Sequence, residues 1–240
     1  MTKSGKQRIA VPARNLTYAM LDEVGRAIVT GAYEARPFPT EAELAKTHNV
    51  SRSVTREAMK MLTAKGLLTA RPRKGTSVQP STSWNLFDPD VLRWLLERKF
   101  SLQLLRQFSE LRIAIEPAAA ALAAAAADAA GLAAVRAGYA RMEAAEGGGD
   151  DPLEADIEFH IAVLNASANP FYMQFRDLVT TALRTSIRFT NRFKGRTASL
   201  PAHRAVLDAI AARDGESARA AISTITSSMI ADADRADGRA

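Results

Sequence analysis

The 240-residue sequence contains no cysteine. That excludes disulfides, thiolate nucleophiles and cysteine metal ligands, and it fits a reducing compartment such as the cytoplasm. Aromatic residues make up only 6% of the chain, and there are three histidines. Long hydrophobic runs are missing too. The alanine-rich stretch from Pro117 to Ala127 is uncharged but falls short of the roughly 18 apolar residues that a membrane-spanning helix needs. The first residues, MTKSGKQRIAVPARN, are basic and lack the apolar core of a secretory signal, so 1–14 reads as a disordered basic arm. No HExxH-like pair is present, and with no cysteine a hydrolytic or thiol enzyme has little to build on.

What is present is unevenly distributed. Residues 1–80 hold 14 Lys and Arg against 6 Asp and Glu, whereas 81–240 hold 18 against 20. A basic excess confined to one end is the footprint of a nucleic-acid-binding module. The stretch from Thr40 to Val78 supplies a structure for it. Thr40 with Glu43 forms a capping box that starts a helix over Glu41 to Thr47. His48 and Asn49 break it, Val50 points inward, and Ser51 caps a second helix that runs to about Lys65 and stops at Gly66. Two short helices joined by a tight turn make a helix-turn-helix, whose second helix enters the major groove. Arg52, Arg56 and Lys60 share one face of that helix, and Val54, Ala58, Met61 and Leu62 the other. Arg52 sits in the first turn, where an arginine reaches guanine O6 and N7. Ser51 and Ser53 suit phosphate oxygens. Leu67–Ala70 and Thr76–Val78 read as short strands around a basic turn, Arg71-Pro72-Arg73-Lys74-Gly75, which makes a wing. Leu16 to Gly31 is an amphipathic helix in front, with Met20, Leu21, Val24, Ile28 and Val29 as its buried stripe. The alternative, a solvated basic surface, leaves the agreement of caps, face and hairpin unexplained.

This segment resembles the winged helix of the GntR family of bacterial transcription regulators. The matching residues are Ile28-x-x-Gly31, Pro39-Thr40-Glu41-x-Glu43-Leu44-Ala45, Val50-Ser51-Arg52-x-x-x-Arg56-Glu57-Ala58, Gly66-Leu67 and Arg73-x-Gly75-Thr76-x-Val78. Arg36-Pro37-Phe38 departs from the family's Pro-Gly at that loop. The resemblance implies a DNA-facing set of Thr40, Glu41, Ser51, Arg52, Ser53, Arg56, Arg71, Arg73, Lys74 and Gly75.

Residues 79–87 read as a polar linker between a winged domain at 15–78 and an all-helical domain at 88–236. Trp84 is expected to pack on the following domain. Asp88 with Pro89 opens a helix carrying Val91, Leu92, Leu95 and Leu96. Ser101 caps a long helix to about Ala127, with Leu104, Leu105, Phe108, Leu111, Ile115 and Leu122 inward and a kink expected at Pro117. Further helices start at Asp128, Asp151-Pro152, Asn169-Pro170, Pro201 and Glu216 and close an antiparallel bundle, while Gly147 to Gly149 breaks the chain between two of them. The Asn169-Pro170 helix is expected to run unbroken to about Arg192. The fold class is therefore mostly α, a winged helix-turn-helix followed by an all-α bundle.

The second half resembles the effector domain of the FadR subfamily of GntR regulators, an FCD-type domain. The residues that carry this are Arg112-x-x-x-Glu116-Pro117, Asp156-x-x-x-His160, Asn169-Pro170 and His203-x-x-x-Leu207-x-x-Ile210. The stretch Trp84-Asn85-x-x-Asp88-x-Asp90-Val91-Leu92-x-Trp94-x-Leu96-Glu97 is shared with a regulator of sugar-acid catabolism. Asp156 and His160 project from one helix face, and His203 comes from another helix, so a carboxylate and two imidazoles can converge on a divalent metal such as zinc. Many members of the subfamily add a histidine on the last helix, and Ile225 stands at that place here. Either an effector completes a three-ligand metal, or Asp156, His160 and His203 bind the effector directly. The resemblance implies that Arg112 binds an effector carboxylate; an ion pair to Glu116 is the alternative. Arg184, paired with Arg188 at i, i+4, and Asn169 are further effector candidates, Asn169 also as a helix cap. Together these readings describe a cytoplasmic homodimeric repressor of a sugar-acid operon. It would bind a palindromic operator and leave it on binding an acid such as galactonate. The rivals are a regulator answering to a different organic acid and a metal-dependent enzyme fused to a DNA-binding module.

Overall fold

The computed structural model describes residues 13–71, 75–99, 101–193 and 198–236, which divide at Arg98/Lys99 into two compact units. In the first, α1 (Ala13–Val29) buries Met20, Leu21, Val24, Ile28 and Val29, the stripe that the periodicity predicts. α2 (Glu41–Thr47) starts at Thr40, whose hydroxyl accepts the Glu43 N–H while the Glu43 carboxylate accepts the Thr40 N–H at 2.8 Å. The turn passes through Asn49 at φ 51° and half-buried Val50. Ser51 then caps α3 (Arg52–Ala64), which turns Val54, Ala58, Met59 and Leu62 inward. Met61, expected inward, is half-buried, because Met59 and Leu62 flank the centre of the stripe. β1 (Leu68–Arg71) and β2 (Gly75–Val78) pair antiparallel, with Leu68 opposite Val78 and Arg71 opposite Gly75. Arg73 and Lys74 lie outside the described residues, as does 1–12 of the expected arm.

The boundary between the units differs from the one the linker composition suggests. Residues 79–87 fold back on the winged helix: Gln79 N–H donates to Leu67 O and Asn85 N–H to Lys65 O, both at 2.9 Å. Gly66, at φ 75°, lies so close to the Ser83 carbonyl that no side chain fits there. Half-buried Trp84 donates its indole N–H to Gln79 O at 3.0 Å, so its partner is the first unit, not the following one. α4 (Pro89–Glu97), capped by Asp88, packs on α1. Trp94 is fully buried with its indole N–H on Asp22 at 2.9 Å, and its ring fills the space that glycine leaves at Gly25. Lys65 clamps the start of α4 through Asp88 at 2.7 Å and Asp90 at 2.8 Å. Hydrophobic residues on α4 thus complete the first core, and polar composition alone hides this.

The second unit is helical throughout its described residues. α5 (Leu102–Ala126) starts at Ser101 and continues through Pro117 as one helix. α6 (Ala129–Glu146) starts at Asp128, and α7 (Pro152–Ala166) at Asp151 with Pro152 in the first turn. The Asn169-Pro170 segment, expected to form one long helix, divides into α8 (Pro170–Met173) and α9 (Arg176–Phe193). The amides of Gln174 and Phe175 bond only three residues back, and Tyr172 and Phe175 tuck against the core there. α10 (Leu200–Ala211) and α11 (Gly215–Ala236) complete the bundle. Alanines at 120, 123 and 124 let α5 meet α11 at Ala218 and Ile222, a close approach that larger side chains would prevent. Leu122, expected inward, is 37% exposed, because it falls off the stripe defined by Ala119, Ala120, Ala123 and Ala124. A smaller cluster of Ile115, Ala119, Ile157, Leu164, Val179 and Leu183 joins α5, α7 and α9. Among the described residues, no helix is long and apolar enough to cross a membrane.

A side chain at Gly25 would meet the Trp94 ring, 2.5 Å from Cζ3. Gly25→Ala is therefore expected to destabilise the first unit by about 1–3 kcal/mol through overpacking, despite alanine's better helix propensity. Both tryptophans lie in this unit, so a urea melt followed by tryptophan fluorescence reads the effect. An unchanged midpoint would mean that the ring moves without cost.

Candidate functional site

Two groups of side chains carry the candidate chemistry. The first is the outer face of α3. Arg52 and Ser53 are exposed in its first turn, and Arg56 and Lys60 are 66% and 69% exposed one and two turns on. Arg56 lies 3.6 Å from Glu41, and Lys60 lies 3.8 Å from Glu57, so these cations are only loosely held. Exposed pairs of this kind are worth little, which leaves the arginines available to a polyanion. The Thr40 and Ser51 hydroxyls accept helix-capping bonds from Glu43 and Val54. Arg71 is exposed at the end of β1, and Gly75 takes φ 78° at the start of β2.

The second group is buried where α5, α7 and α10 meet. Arg112 and Glu116 are one turn apart on α5 and only 3% and 2% exposed. Arg112 Nε donates to Glu116 Oε1, and Nη2 donates to Oε2 at 3.2 Å. Asp156 and His160 project from α7, and His203 from α10. Glu116 Oε2 lies 2.6 Å from His160 Nδ1. His203 Nδ1 lies 2.8 Å from the Ser199 carbonyl, which can only accept, so the proton sits on Nδ1. The same argument places the His160 proton on Nδ1, facing the carboxylate. A neutral His160 ring then keeps its lone pair on Nε2, where Arg112 Nη2 donates at 3.3 Å. The two Nε2 atoms lie 3.4 Å apart, with Asp156 Oδ1 at 3.1 Å from His203 Nε2 and 3.7 Å from His160 Nε2. Asp156 Oδ1 is buried and has no formed hydrogen bond among the described residues; a neutral His203 ring offers it none, whereas a protonated one would donate from Nε2.

Three lone-pair donors from three side chains, all within 4.8 Å of one another, thus converge on one point. A buried polar atom without a partner costs free energy, so such an arrangement calls for a cation. Burial pushes the Glu116 carboxyl up, but the Arg112 guanidinium and His160 outweigh it and hold it at about 2. Burial likewise raises Asp156, and the contacts to His203, His160 and Arg112 bring it below its usual value.

The structure brings Arg112, Asp156, His160 and His203 together and pairs two further effector candidates with other groups. Asn169 caps α8, accepting the Phe171 N–H at 3.0 Å. Arg184 pairs with Glu154 at 2.7 Å and is 37% exposed; the side chain of Arg188 lies outside the described residues. Glu116 joins the cluster through His160, a contact that the i, i+4 pattern with Arg112 did not signal. Ile225 is partly buried against the apolar cluster around Phe159 and offers no donor.

Comparison with known proteins agrees with both halves. Residues 19–78 match the bacterial regulatory proteins of the gntR family, and residues 107–227 match the FCD domain. The galactonate operon transcriptional repressor of Escherichia coli K12 is 35% identical over 220 residues, which cover 89% of this chain and 95% of the repressor. An uncharacterised HTH-type transcriptional regulator of the same organism, YieP, is 34% identical over 208 residues, 85% of this chain and 90% of its own length. Among solved structures, Lar of Listeria monocytogenes superposes with a TM-score of 0.54 at 19% identity over 95% of this chain and 99% of its own, which shows the shared fold.

Arg112→Met would leave Glu116 buried without its guanidinium and should cost about 3–5 kcal/mol, as breaking a buried pair does. In the wild type, ionised Glu116 contributes stability that is full above about pH 4.5 and lost as pH falls through about 2. The variant's deficit should therefore shrink as pH falls from 7 toward 4, because the stranded carboxyl takes up a proton. Urea melts followed by far-ultraviolet circular dichroism across that range test this; a deficit independent of pH would show that Arg112 does not hold the carboxylate.

Proposed function

The chain belongs to the GntR family of bacterial regulatory proteins and carries an FCD domain, and we propose that it is a repressor released from its operator by a sugar acid. It is a DNA-binding transcription regulator, not an enzyme, as its relatives are. The finer reading rests above all on one observation: a buried arginine beside two imidazoles and a carboxylate whose possible ligand atoms lie within 4.8 Å of one another. Asp156, His160 and His203 would hold a divalent cation, and two imidazoles with one carboxylate suit zinc. Bound there, the cation would supply a Lewis-acidic centre with open positions for oxygen ligands, since Ile225 contributes nothing.

Charge favours an acid as the second guest. With neutral imidazoles, as metal ligation requires, Arg112 faces two carboxylates and the site carries one net negative charge. A divalent cation reverses that to one positive, and a monocarboxylate brings it to zero. Arg112 retains donors beyond the Nε and Nη2 contacts to Glu116 and would take the acid's carboxylate. The likeness to the galactonate operon repressor supports a sugar acid such as galactonate. Arg52, Ser53, Arg56 and the wing would contact one half of a palindromic operator, and a homodimer would supply the other half. The acid would shift the population between DNA-competent and DNA-incompetent states through unequal affinity for the two.

Melting the full chain against aldonic, uronic and short hydroxy acids, each with zinc and with a chelator, tests the effector. The correct acid at 100 times its dissociation constant should add roughly 2.7 kcal/mol with zinc and less with chelator. A panel without any shift would remove the sugar acid from the reading. Arg52→Ala should weaken operator binding by roughly 1–3 kcal/mol and relax specificity at one base pair. Unchanged binding in a gel-shift titration would mean that α3 does not read the groove through Arg52.

A further inference from the structure

The Glu116 carboxylate has two partners where an ordinary ion pair needs one. Oε1 accepts from Arg112 Nε. Oε2 takes both Arg112 Nη2, at 3.2 Å, and His160 Nδ1, at 2.6 Å. An ionised carboxylate has only lone pairs to offer, so a ring nitrogen this close must carry a proton. The other nitrogen of the same ring is then left with its lone pair, which faces the Arg112 Nη2 donor at 3.3 Å and His203 Nε2 at 3.4 Å. His203 carries its own Nδ1 proton by a different route, on the backbone carbonyl of Ser199. One ligand ring is thus fixed by the main chain and the other by a side chain, and that side chain also holds the buried arginine.

We propose that Glu116 is a positioning residue that sets His160 as the Nδ1–H tautomer, leaves the lone pair on Nε2, the atom that faces Asp156, His203 and Arg112, and ties that ring to Arg112. The proposal rests on reading Asp156, His160 and His203 as a metal-ligand set. A second carboxylate acting through a ligand histidine orients the ring and raises its basicity, and removing such a partner commonly weakens metal binding 10–100-fold. Because one carboxylate serves both His160 and Arg112, an anion on Arg112 and a cation on His160 share a common support. Their affinities are therefore linked, each changing the other by the same factor.

The chain has only three histidines, so its imidazoles can be followed individually. Full-length protein with 15N-labelled histidine, kept in chelator, gives each ring's tautomer from long-range proton–nitrogen correlations, with His48→Gln and His203→Gln for assignment. In the wild type, His160 and His203 should both show the Nδ1–H pattern. In Glu116→Met, which removes the acceptor, His160 should lose that pattern while His203 keeps it. Zinc affinity, measured against a competing chelating dye, should fall 10–100-fold. The double variant Arg112→Met/Glu116→Met removes both buried charges, so it strands neither, and should show the same two changes if the single variant fails to fold. Retention of the His160 tautomer, or of full zinc affinity, in the folded variant would overturn the proposal. A wild type that binds no zinc would remove the metal reading alone; the tautomer measurement, made without metal, still decides the role of Glu116.

Discussion

Two carboxylates, a guanidinium and two imidazoles buried in an alanine-rich bundle are the constraint around which the C-terminal unit is arranged. None of these charges is tolerable alone at such depth. Glu116 pairs with Arg112 on its own helix and with His160 on α7, Asp156 lies 3.1 Å from His203 on α10, and His203 donates to the Ser199 carbonyl just before its own helix. The bundle must hold three helices in one register for the set to close. Its apolar clusters do so on either side, Phe159 with Val206 and Ile222 on one and Ile157 with Val179 and Leu183 on the other. Packing here serves the polar centre as much as the reverse.

The two units solve different problems with the same elements. In the first, charge stays outside and apolar residues complete the interior, so α3 offers a cationic face to solvent. In the second, charge goes inside and the surface is close to neutral. A polyanion is met at an exposed face where many weak contacts add, whereas a small acid is met where few donors act in a poorly solvated space. The sign and depth of the charges thus follow from the size of the partner each unit would serve.

Much of this is written locally in the chain. Thr40 with Glu43, Ser51, Ser101, Asp128 and Asp151 mark helix starts because a cap involves residues two or three apart, and each begins a helix in the structure. The spacing of Asp156 and His160 likewise places them on one face. Contacts between distant segments leave no such mark. The fit of Trp94 against Gly25 spans two helices far apart in sequence, so the polar stretch at 79–87 reads as the domain boundary when composition alone is weighed. The bond between Glu116 and His160 was equally hidden, because the nearer Arg112 already accounted for that glutamate. The split between α8 and α9 leaves no local mark for a related reason: it depends on Tyr172 and Phe175 docking on the core, not on a breaker residue.

Helix α4 has a practical implication for modular reuse. Its tryptophan, its clamp through Lys65 and the folded-back segment before it all belong to the DNA-binding half. A chimera that transplants this half onto another sensor should carry everything through Arg98. A graft cut at the polar stretch would leave α1 uncovered, with Lys65 stripped of its two carboxylates and Asp22 left to Arg26 alone. The exchangeable cassette is longer than the winged helix itself.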